Sequence, residues 1–247
     1  MAKEAKDRTP APAEGRNQPA ATSSRAEIDA FLAKVAALGP SVRAGPRGRL
    51  IFALDATLSR QPLWDTACRL QADMFAEAAA IGGLDVQLVY YRGLAECRAS
   101  HWVSDASALG ALMERIDCRG GHTQIRRILA HARRETEKQK VQALVFVGDA
   151  MEEPIDDICA AAGALGLLGV PAFVFQEGHD PIAEQAFREM ARLSRGAYCR
   201  FDPGSARQLG ELLRAVAAYA AGGMKALADL KARHAHVGAI KLLEQLR

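Results

Sequence analysis

Aromatic residues are scarce in this chain of 247 residues: they make up 6% of the total, whereas 49% of the residues are hydrophobic and 25% are charged. Alanine is abundant. This composition disfavours an all-β sandwich and favours helices packed on a sheet. The length is close to the upper limit for a single hydrophobic core, so we expect one large α/β domain with extensions.

The five cysteines form no metal-binding or redox motif. They are scattered along the chain, without a Cys-x-x-Cys pair and without histidines at ligand spacing. The first residues, Met1–Arg8, lack the apolar core of a secretory signal. An odd number of cysteines without such a signal indicates reduced thiols, and we therefore expect a cytoplasmic protein.

Neither the charge nor the hydropathy of the chain indicates a nucleic acid or a membrane as its partner. A net charge of +3 is too small for that inference. The densest basic run, from Arg126 to Lys140, is interleaved with acidic residues and is typical of a solvated helix face. The uncharged run Ile158–Phe175 reaches the length of a membrane span, about 18 residues. Because Gly169-Val170-Pro171 interrupts it, we interpret it as a helix, a tight turn and a buried strand.

The order of the predicted elements indicates a doubly wound, Rossmann-like α/β sheet. Continuous apolar runs at 50–54 and 141–147 are typical of central buried strands. Two further runs, 86–92 and 95–102, have so short a connection that they must pair antiparallel. The remaining predicted elements are two strands and six helices, at 170–175, 198–201, 62–81, 105–116, from 123 onward, 155–168, 181–195 and 205–221. We predict a mostly parallel six-stranded sheet with one antiparallel edge strand and helices on both faces.

The ends of the chain are predicted to lie outside this main domain, which covers 49–221. Residues 1–23 lack a hydrophobic period and are expected to be a disordered tail. Residues 24–48 comprise an amphipathic helix, opened by a capping box at Ser24–Glu27, and a linker rich in Gly, Pro and Arg. Residues 222–247 form a C-terminal helix that packs on the domain or on a partner.

Five small side chains that carry oxygen follow the predicted central strands. Asp55, Thr57 and Ser59 come directly after the first of these strands. Thr123 opens a helix after a di-glycine loop, and Asp149 ends the other central strand. Doubly wound sheets bind ligands beyond the carboxyl ends of their strands, where the strand order reverses. Carboxylate and hydroxyl oxygens suit Mg²⁺, so we predict a Mg²⁺ site there with a position open to an incoming carboxylate.

In order and spacing these residues resemble the metal-ion-dependent adhesion site (MIDAS) of von Willebrand factor A (VWA) domains, D-x-S-x-S…T…D. The resemblance extends over residues 49–221. It implies direct metal contacts for Thr57 and Ser59, and a contact for Thr123 that is direct or through water. Asp55 and Asp149 are implied to act mostly through water. Thr57 departs from the serine of the family motif: the hydroxyl is kept, and the added methyl group crowds the site.

The resemblance also implies a function. Bacterial-type intracellular VWA proteins suggest a non-enzymatic module that uses Mg²⁺, or Mn²⁺, to bind an Asp or Glu of a partner protein. The implied setting is a multiprotein assembly, often with an AAA-type ATPase or a chaperone.

Each of these residues also has a simpler structural explanation. Ser59 and Thr123 are suited to cap the helices that follow them. Asp149 and Glu152 are suited to form a capping pair at the helix predicted at 155–168. Asp55 is suited to accept loop amides at the end of its strand.

Two other functions remain open. Leu54-Asp55-x-Thr57 and the later Gly148-Asp149 partly resemble a haloacid-dehalogenase-like phosphatase, but that family has its general acid where this chain has Thr57. A scaffold with a vestigial metal site, which makes its contacts through the terminal helices, is the second alternative.

Other polar and aromatic residues are weaker candidates for a functional role. His122, Glu177 and Asp180 lie on the predicted site edge, where a solvated histidine and a polar turn are the favoured interpretations. Tyr90-Tyr91 and Trp102 are interpreted as packing residues of the hairpin.

Overall fold

The computed structural model describes residues 25–37, 47–58, 83–201 and 206–233, together with isolated residues between 59 and 82. The elements are α1 (Arg25–Ala37), β1 (Gly48–Asp55), β2 (Leu84–Arg92), β3 (Glu96–Val103), α2 (Ala106–Met113), α3 (Ile125–Lys138), β4 (Ala143–Gly148), α4 (Ile155–Leu167), β5 (Ala172–Glu177), α5 (Pro181–Leu193), β6 (Ala197–Phe201) and α6 (Ala206–Arg233). The predicted tail 1–23, the capping residue Ser24, Ser59, most of the predicted helix 62–81 and the last residues of the C-terminal helix lie outside the described residues.

The six strands form one sheet in the order β3-β2-β1-β4-β5-β6. The pairs β1–β2, β1–β4, β4–β5 and β5–β6 are parallel, and β2–β3 is antiparallel. A turn at 93–95 joins β2 to β3, which is too short for a crossover to a parallel strand. The predicted fold class is confirmed, including the antiparallel edge strand.

Helices cover both faces of the sheet. Leu50, Phe52 and Leu54 of β1 lie in a core with residues of α1, α2 and α6. Ile51 and Ala53, which point the other way, lie in a second core with residues of α3, α4 and α5. Burial on both faces is the physical reason for the continuous apolar runs that mark the central strands.

Helix α1 packs against the sheet. Phe31 is 2% exposed, and its ring centroid lies 5.5 Å from that of Phe175 and 6.1 Å from that of Phe173. The side chains of α1 and β5 share one core, so the predicted amphipathic helix packs on the main domain.

Several element boundaries differ slightly from the predicted ones. Strand β5 begins at Ala172, because Pro171 has no amide and only its carbonyl enters the sheet, where it accepts from the amide of Leu144 at 3.0 Å. Helix α6 runs through both the predicted helix 205–221 and the start of the next, with a kink at Gly223, whose φ is 65°. Glycine adopts this left-handed conformation without steric cost.

The uncharged run and the basic run of the sequence both form ordinary secondary structure. The run Ile158–Phe175 consists of most of α4, a turn and the first part of β5, as interpreted. The basic helix α3 is solvated on its charged face, where Arg126 pairs with Asp157 and Arg133 with Glu137, both at 2.9 Å. Within the described ranges, no helix is long and apolar enough to cross a membrane.

Asp29 of α1 is a buried carboxylate with little to stabilise its charge. Neither of its oxygens accepts a hydrogen bond from the residues that the structure describes, and its ion pair with Arg25 is long, at 3.5 Å. Burial raises the pKa of Asp29, and the charge of Arg25 offsets this only in part. The ionised side chain therefore weakens the docking of α1 at neutral pH.

We predict that Asp29→Asn stabilises the protein at pH 7 by about 1 kcal/mol, since it removes a buried charge without changing the size of the side chain. Because the folded-state pKa is raised, the contribution of Asp29 to stability is fully present below the ordinary pKa of 3.8 and is lost as the pH rises through the folded-state value. Urea unfolding at several pH values should therefore show a higher free energy of unfolding for Asp29→Asn at pH 7. This difference from the wild type should disappear below the ordinary pKa of 3.8. Glu27→Gln, two residues earlier on the exposed face, is the control; an equal gain there would contradict the explanation.

Candidate functional site

The predicted site lies where the strand order reverses. From β1 the chain continues to β2 and β3 on one side of the sheet, and β4, β5 and β6 lie on the other side. Strands β1 and β4 are parallel neighbours, so the loops after Asp55 and after Gly148 leave the same edge of the sheet side by side. This arrangement brings Asp55 and Asp149 to one place, as the sequence predicted.

Asp55 organises the loop that follows β1. Its side chain is 2% exposed, and Oδ1 accepts from the amide of Thr57 at 2.7 Å. Oδ2 accepts from the hydroxyl of Tyr91 at 2.9 Å. Tyr91 pairs with Asp55 across β1 and β2 and is completely buried. The explanation of Asp55 as an acceptor of loop amides is therefore confirmed, and the same contact holds Thr57 beside the carboxylate.

The electrostatics of Asp55 favour the arrival of a cation. Burial raises the pKa of its carboxyl, hydrogen bonds from Thr57 and Tyr91 lower it, and the negative charge of Asp149 raises it again. Burial, followed by the charge of Asp55, also raises the pKa of Tyr91 well above its ordinary value, so its hydroxyl stays protonated and donates. A positive charge nearby would stabilise the buried, ionised carboxylate of Asp55.

The segment before α3 is fastened to the same edge of the sheet. The amide of Arg119 donates to the carbonyl of Ala56 at 2.9 Å, and the amide of His122 donates to the carbonyl of Gly93 at 3.2 Å. Gly121 is required here because a Cβ at this position would overlap the backbone of Gly93. These contacts place the residue that follows, Thr123, beside the loops after β1 and β2.

Thr123 is joined to the loop after β4 by a reciprocal pair of hydrogen bonds. Its amide donates to Oε2 of Glu152, and the amide of Glu152 donates to its Oγ1, both at 3.0 Å. His122 Nδ1 lies 3.0 Å from the same Oε2. The structure thus connects Thr123 to the loop that begins with Asp149.

The capping explanations for Thr123 and Asp149 are wrong. Helix α3 begins at Ile125, so Thr123 precedes its N-cap residue, Gln124. The carboxylate of Glu153 accepts from the first amides of the helix, those of Ile125 and Arg126. The N-cap residue of α4 is Pro154, so the pair Asp149 and Glu152 does not cap that helix. The reason is that the loop 149–154 turns back to cap α3 instead of the helix that follows it.

The weaker candidates have structural roles. Oδ1 of Asp180 caps α5 by accepting from the amides of Ile182 at 2.8 Å and Ala183 at 3.3 Å, which confirms a polar turn. Trp102 packs as expected, with the guanidinium of Arg49 3.8 Å from its ring centroid.

Sequence reasoning missed Tyr91 and Glu152 as parts of this site. The function of Tyr91 depends on the pairing of β1 with β2 in a register that places it opposite Asp55. Glu152 contacts a residue 29 positions away. The motif order supplied no signal for either contact.

Comparisons with known proteins rest on structure alone. No family model matches the sequence, and no curated protein matches it. An aerotolerance-related membrane protein from Bacteroides fragilis is 20% identical with a TM-score of 0.53, over 67% of this chain and 96% of that one. The SpRpn10 VWA domain is 12% identical with a TM-score of 0.53, over 69% of this chain and 95% of that one. This chain has the VWA fold. Proximal thread matrix protein 1 from the mussel byssus, with a zinc-occupied MIDAS motif, is 14% identical with a TM-score of 0.55, over 71% of this chain and 47% of that one. Identities this low show the fold only.

The oxygen-bearing residues at this edge of the sheet are of the types that a hard cation would need. Both oxygens of Asp55 already accept hydrogen bonds, which suits a carboxylate that acts through water. Among the residues that the structure describes, no three Asp, Glu, His or Cys side chains form a metal-binding group. A site here therefore depends on hydroxyl ligands, which Thr57 and Thr123 carry. Ser59, the fifth predicted residue, lies outside the described part of the chain.

Proposed function

We propose that this chain is a non-enzymatic protein-binding module. Its site at the carboxyl ends of β1 and β4 holds Mg²⁺, or Mn²⁺, and binds an acidic residue of a partner protein. One observation carries the proposal: the buried carboxylate of Asp55 ends β1 where the strand order reverses, beside β4, which leads directly into Asp149, and it accepts a hydrogen bond from the amide of Thr57.

The roles of the site residues follow from their chemistry. Thr57, Ser59 and Thr123 supply hydroxyl oxygens, and Asp55 and Asp149 supply the negative charge that favours a divalent cation. These residues would hold the cation at the end of β1 and β4. A bound cation would supply a Lewis-acidic position for a carboxylate oxygen of the partner.

The geometry of Asp55 favours binding over phosphatase chemistry. A nucleophilic carboxylate needs an oxygen that a substrate can approach. The side chain of Asp55 is buried, and Tyr91 and Thr57 each donate to one of its oxygens. Thr57 stands at the position where the phosphatase resemblance requires an acid, and its hydroxyl is far too weak an acid to serve as a general acid near neutral pH.

The most direct test of metal binding is a calorimetric titration of Mg²⁺ and of Mn²⁺ into chelator-treated protein. It is made with and without acetate, which replaces the carboxylate of the partner. The proposal expects one saturable site in at least one of these conditions. Folded protein without saturable binding in any of them would favour the scaffold alternative.

The surface beside the site suits a protein partner. Leu58, in the loop after β1, is 66% exposed, and Leu94, in the turn after β2, is 78% exposed. Both follow strands whose carboxyl ends form the site edge. Leu58 and Leu94 would add apolar contact area to an interface formed at this edge. We propose a cytoplasmic assembly with an AAA-type ATPase or a chaperone as the setting, as the VWA resemblance implies.

We predict that Leu94→Ser reduces Mg²⁺-dependent capture of the partner several-fold and leaves the Mg²⁺ affinity unchanged. The reason is that the leucine contributes apolar contact area and no metal ligand. The measurement is capture from lysate of the source cells with Mg²⁺ and with chelator, quantified by mass spectrometry. Leu167→Ser is the matched control, since Leu167 is 87% exposed at the end of α4, on the opposite edge of the sheet. Equal losses for the two variants would contradict the assignment of this edge.

A further inference from the structure

The loop between β4 and α4 holds the segment before α3 through two adjacent glutamates. Oε1 of Glu153 accepts from the amide of Arg126 at 3.0 Å, and Oε2 accepts from the amide of Ile125. Both amides belong to the first turn of α3, so Glu153 acts as a helix cap supplied by another loop. Glu152 does something different, because its partners lie outside the helix.

Glu152 contacts the two residues that precede the N-cap residue of α3. Its Oε2 accepts from the amide of Thr123 at 3.0 Å and lies 3.0 Å from Nδ1 of His122. In return, its own amide donates to Oγ1 of Thr123 at 3.0 Å. The backbone and the side chain of Thr123 are therefore both fixed by one residue.

We propose that Glu152 is a positioning residue that orients the hydroxyl of Thr123 for the metal site; this inference rests on the proposed function. A threonine hydroxyl has one proton and two lone pairs. The backbone amide of Glu152 occupies one lone pair. The carboxylate of Glu152, by accepting from the amide of Thr123, holds Thr123 in the position where this bond forms and the second lone pair stays available for a cation. Glu152 also couples this ligand to Asp149, which lies three residues earlier in the same loop.

A purely structural role predicts a different result from a positioning role, and Glu153 provides the comparison. Both glutamates lie in the same loop and both accept amides of the segment at 123–126. If Glu152 merely stabilises the loop, removing either glutamate should affect Mg²⁺ binding alike. If it orients Thr123, only its own removal should weaken the binding of the metal.

The experiment compares Glu152→Ala, Glu152→Gln and Glu153→Ala by calorimetric titration with Mg²⁺ and by melting in chelator. Glu152→Ala should weaken Mg²⁺ binding about 10-fold, as is usual for a residue that orients a ligand. Glu152→Gln should weaken it by less than about 3-fold, since the amide oxygen still accepts from Thr123. Glu153→Ala should lower the melting temperature and leave the Mg²⁺ affinity unchanged. In a Thr123→Ala background, Glu152→Ala should have no further effect on that affinity.

Each outcome bears on one claim. Folded Glu152→Ala that binds Mg²⁺ like the wild type would overturn the positioning role, and so would an equal loss of affinity in Glu153→Ala. If Glu152→Ala does not fold, the test rests on Glu152→Gln. A folded Glu152→Gln variant that binds Mg²⁺ as weakly as Thr123→Ala would also overturn the positioning role. Saturable Mg²⁺ binding by the wild type, in the same titration, separates these results from failure of the proposed function.

Discussion

Replacing Asp55 by asparagine should weaken Mg²⁺ binding by about 100-fold and leave the domain folded. The asparagine keeps the size of the side chain and an oxygen that accepts from the amide of Thr57. The hydroxyl of Tyr91 can accept from the new amide group instead of donating to a carboxylate. Only the negative charge is lost, and that charge is what attracts the cation. Calorimetric titration, with circular dichroism to verify the fold, measures both effects.

The matched control is Asp29→Asn, which also removes a buried carboxylate whose pKa burial raises. Asp29 lies on α1, in a different element from any of the site residues. The Asp29→Asn variant should bind Mg²⁺ with the affinity of the wild type. Folded Asp55→Asn that retains wild-type affinity would show that the carboxylate at the end of β1 has only the structural role of holding its loop.

Replacing Phe31 by alanine should lower the free energy of unfolding by about 3 to 5 kcal/mol. Its ring lies in contact distance of Phe173 and Phe175, so the substitution leaves a cavity between α1 and the sheet. Such a loss is a large part of the total stability of a typical domain. Urea denaturation followed by circular dichroism measures it.

Lys34→Ala is the control for Phe31→Ala, because Lys34 lies on the exposed face of the same helix. It should change the free energy of unfolding by less than about 0.5 kcal/mol. A similarly small effect of Phe31→Ala would mean that α1 does not belong to the packed domain.

Much of the fold could be predicted because its central strands are buried on both faces. Leu50–Leu54 is apolar at every position, which indicates a parallel strand covered by helices on both sides. The short connection at 93–95 likewise requires the antiparallel pair. These two constraints do not fix which strand lies beside β1; the pairing of β1 with β4, which brings the loops of Asp55 and Asp149 to one edge, is seen in the structure.

Contacts between distant positions could not be predicted from local patterns. A motif shows that Thr123 carries a hydroxyl, but the bonds that fix this residue come from Glu152, across two elements. The docking of Phe31 depends on the face of β5 that carries Phe173 and Phe175, which the period of α1 does not identify. Buried Tyr91 resembles any packing residue of a hairpin until the register of β1 and β2 is known.

The measurement that tests the central claim most directly is an anomalous diffraction map of crystals grown with Mn²⁺. The proposed function predicts one strong peak at the carboxyl ends of β1 and β4, next to the hydroxyls of Thr57 and Thr123, and no such peak in crystals of Asp55→Asn. Wild-type crystals without a peak at that edge, or with their only peak elsewhere on the molecule, would contradict the claim that this VWA fold holds a metal ion at its switch point.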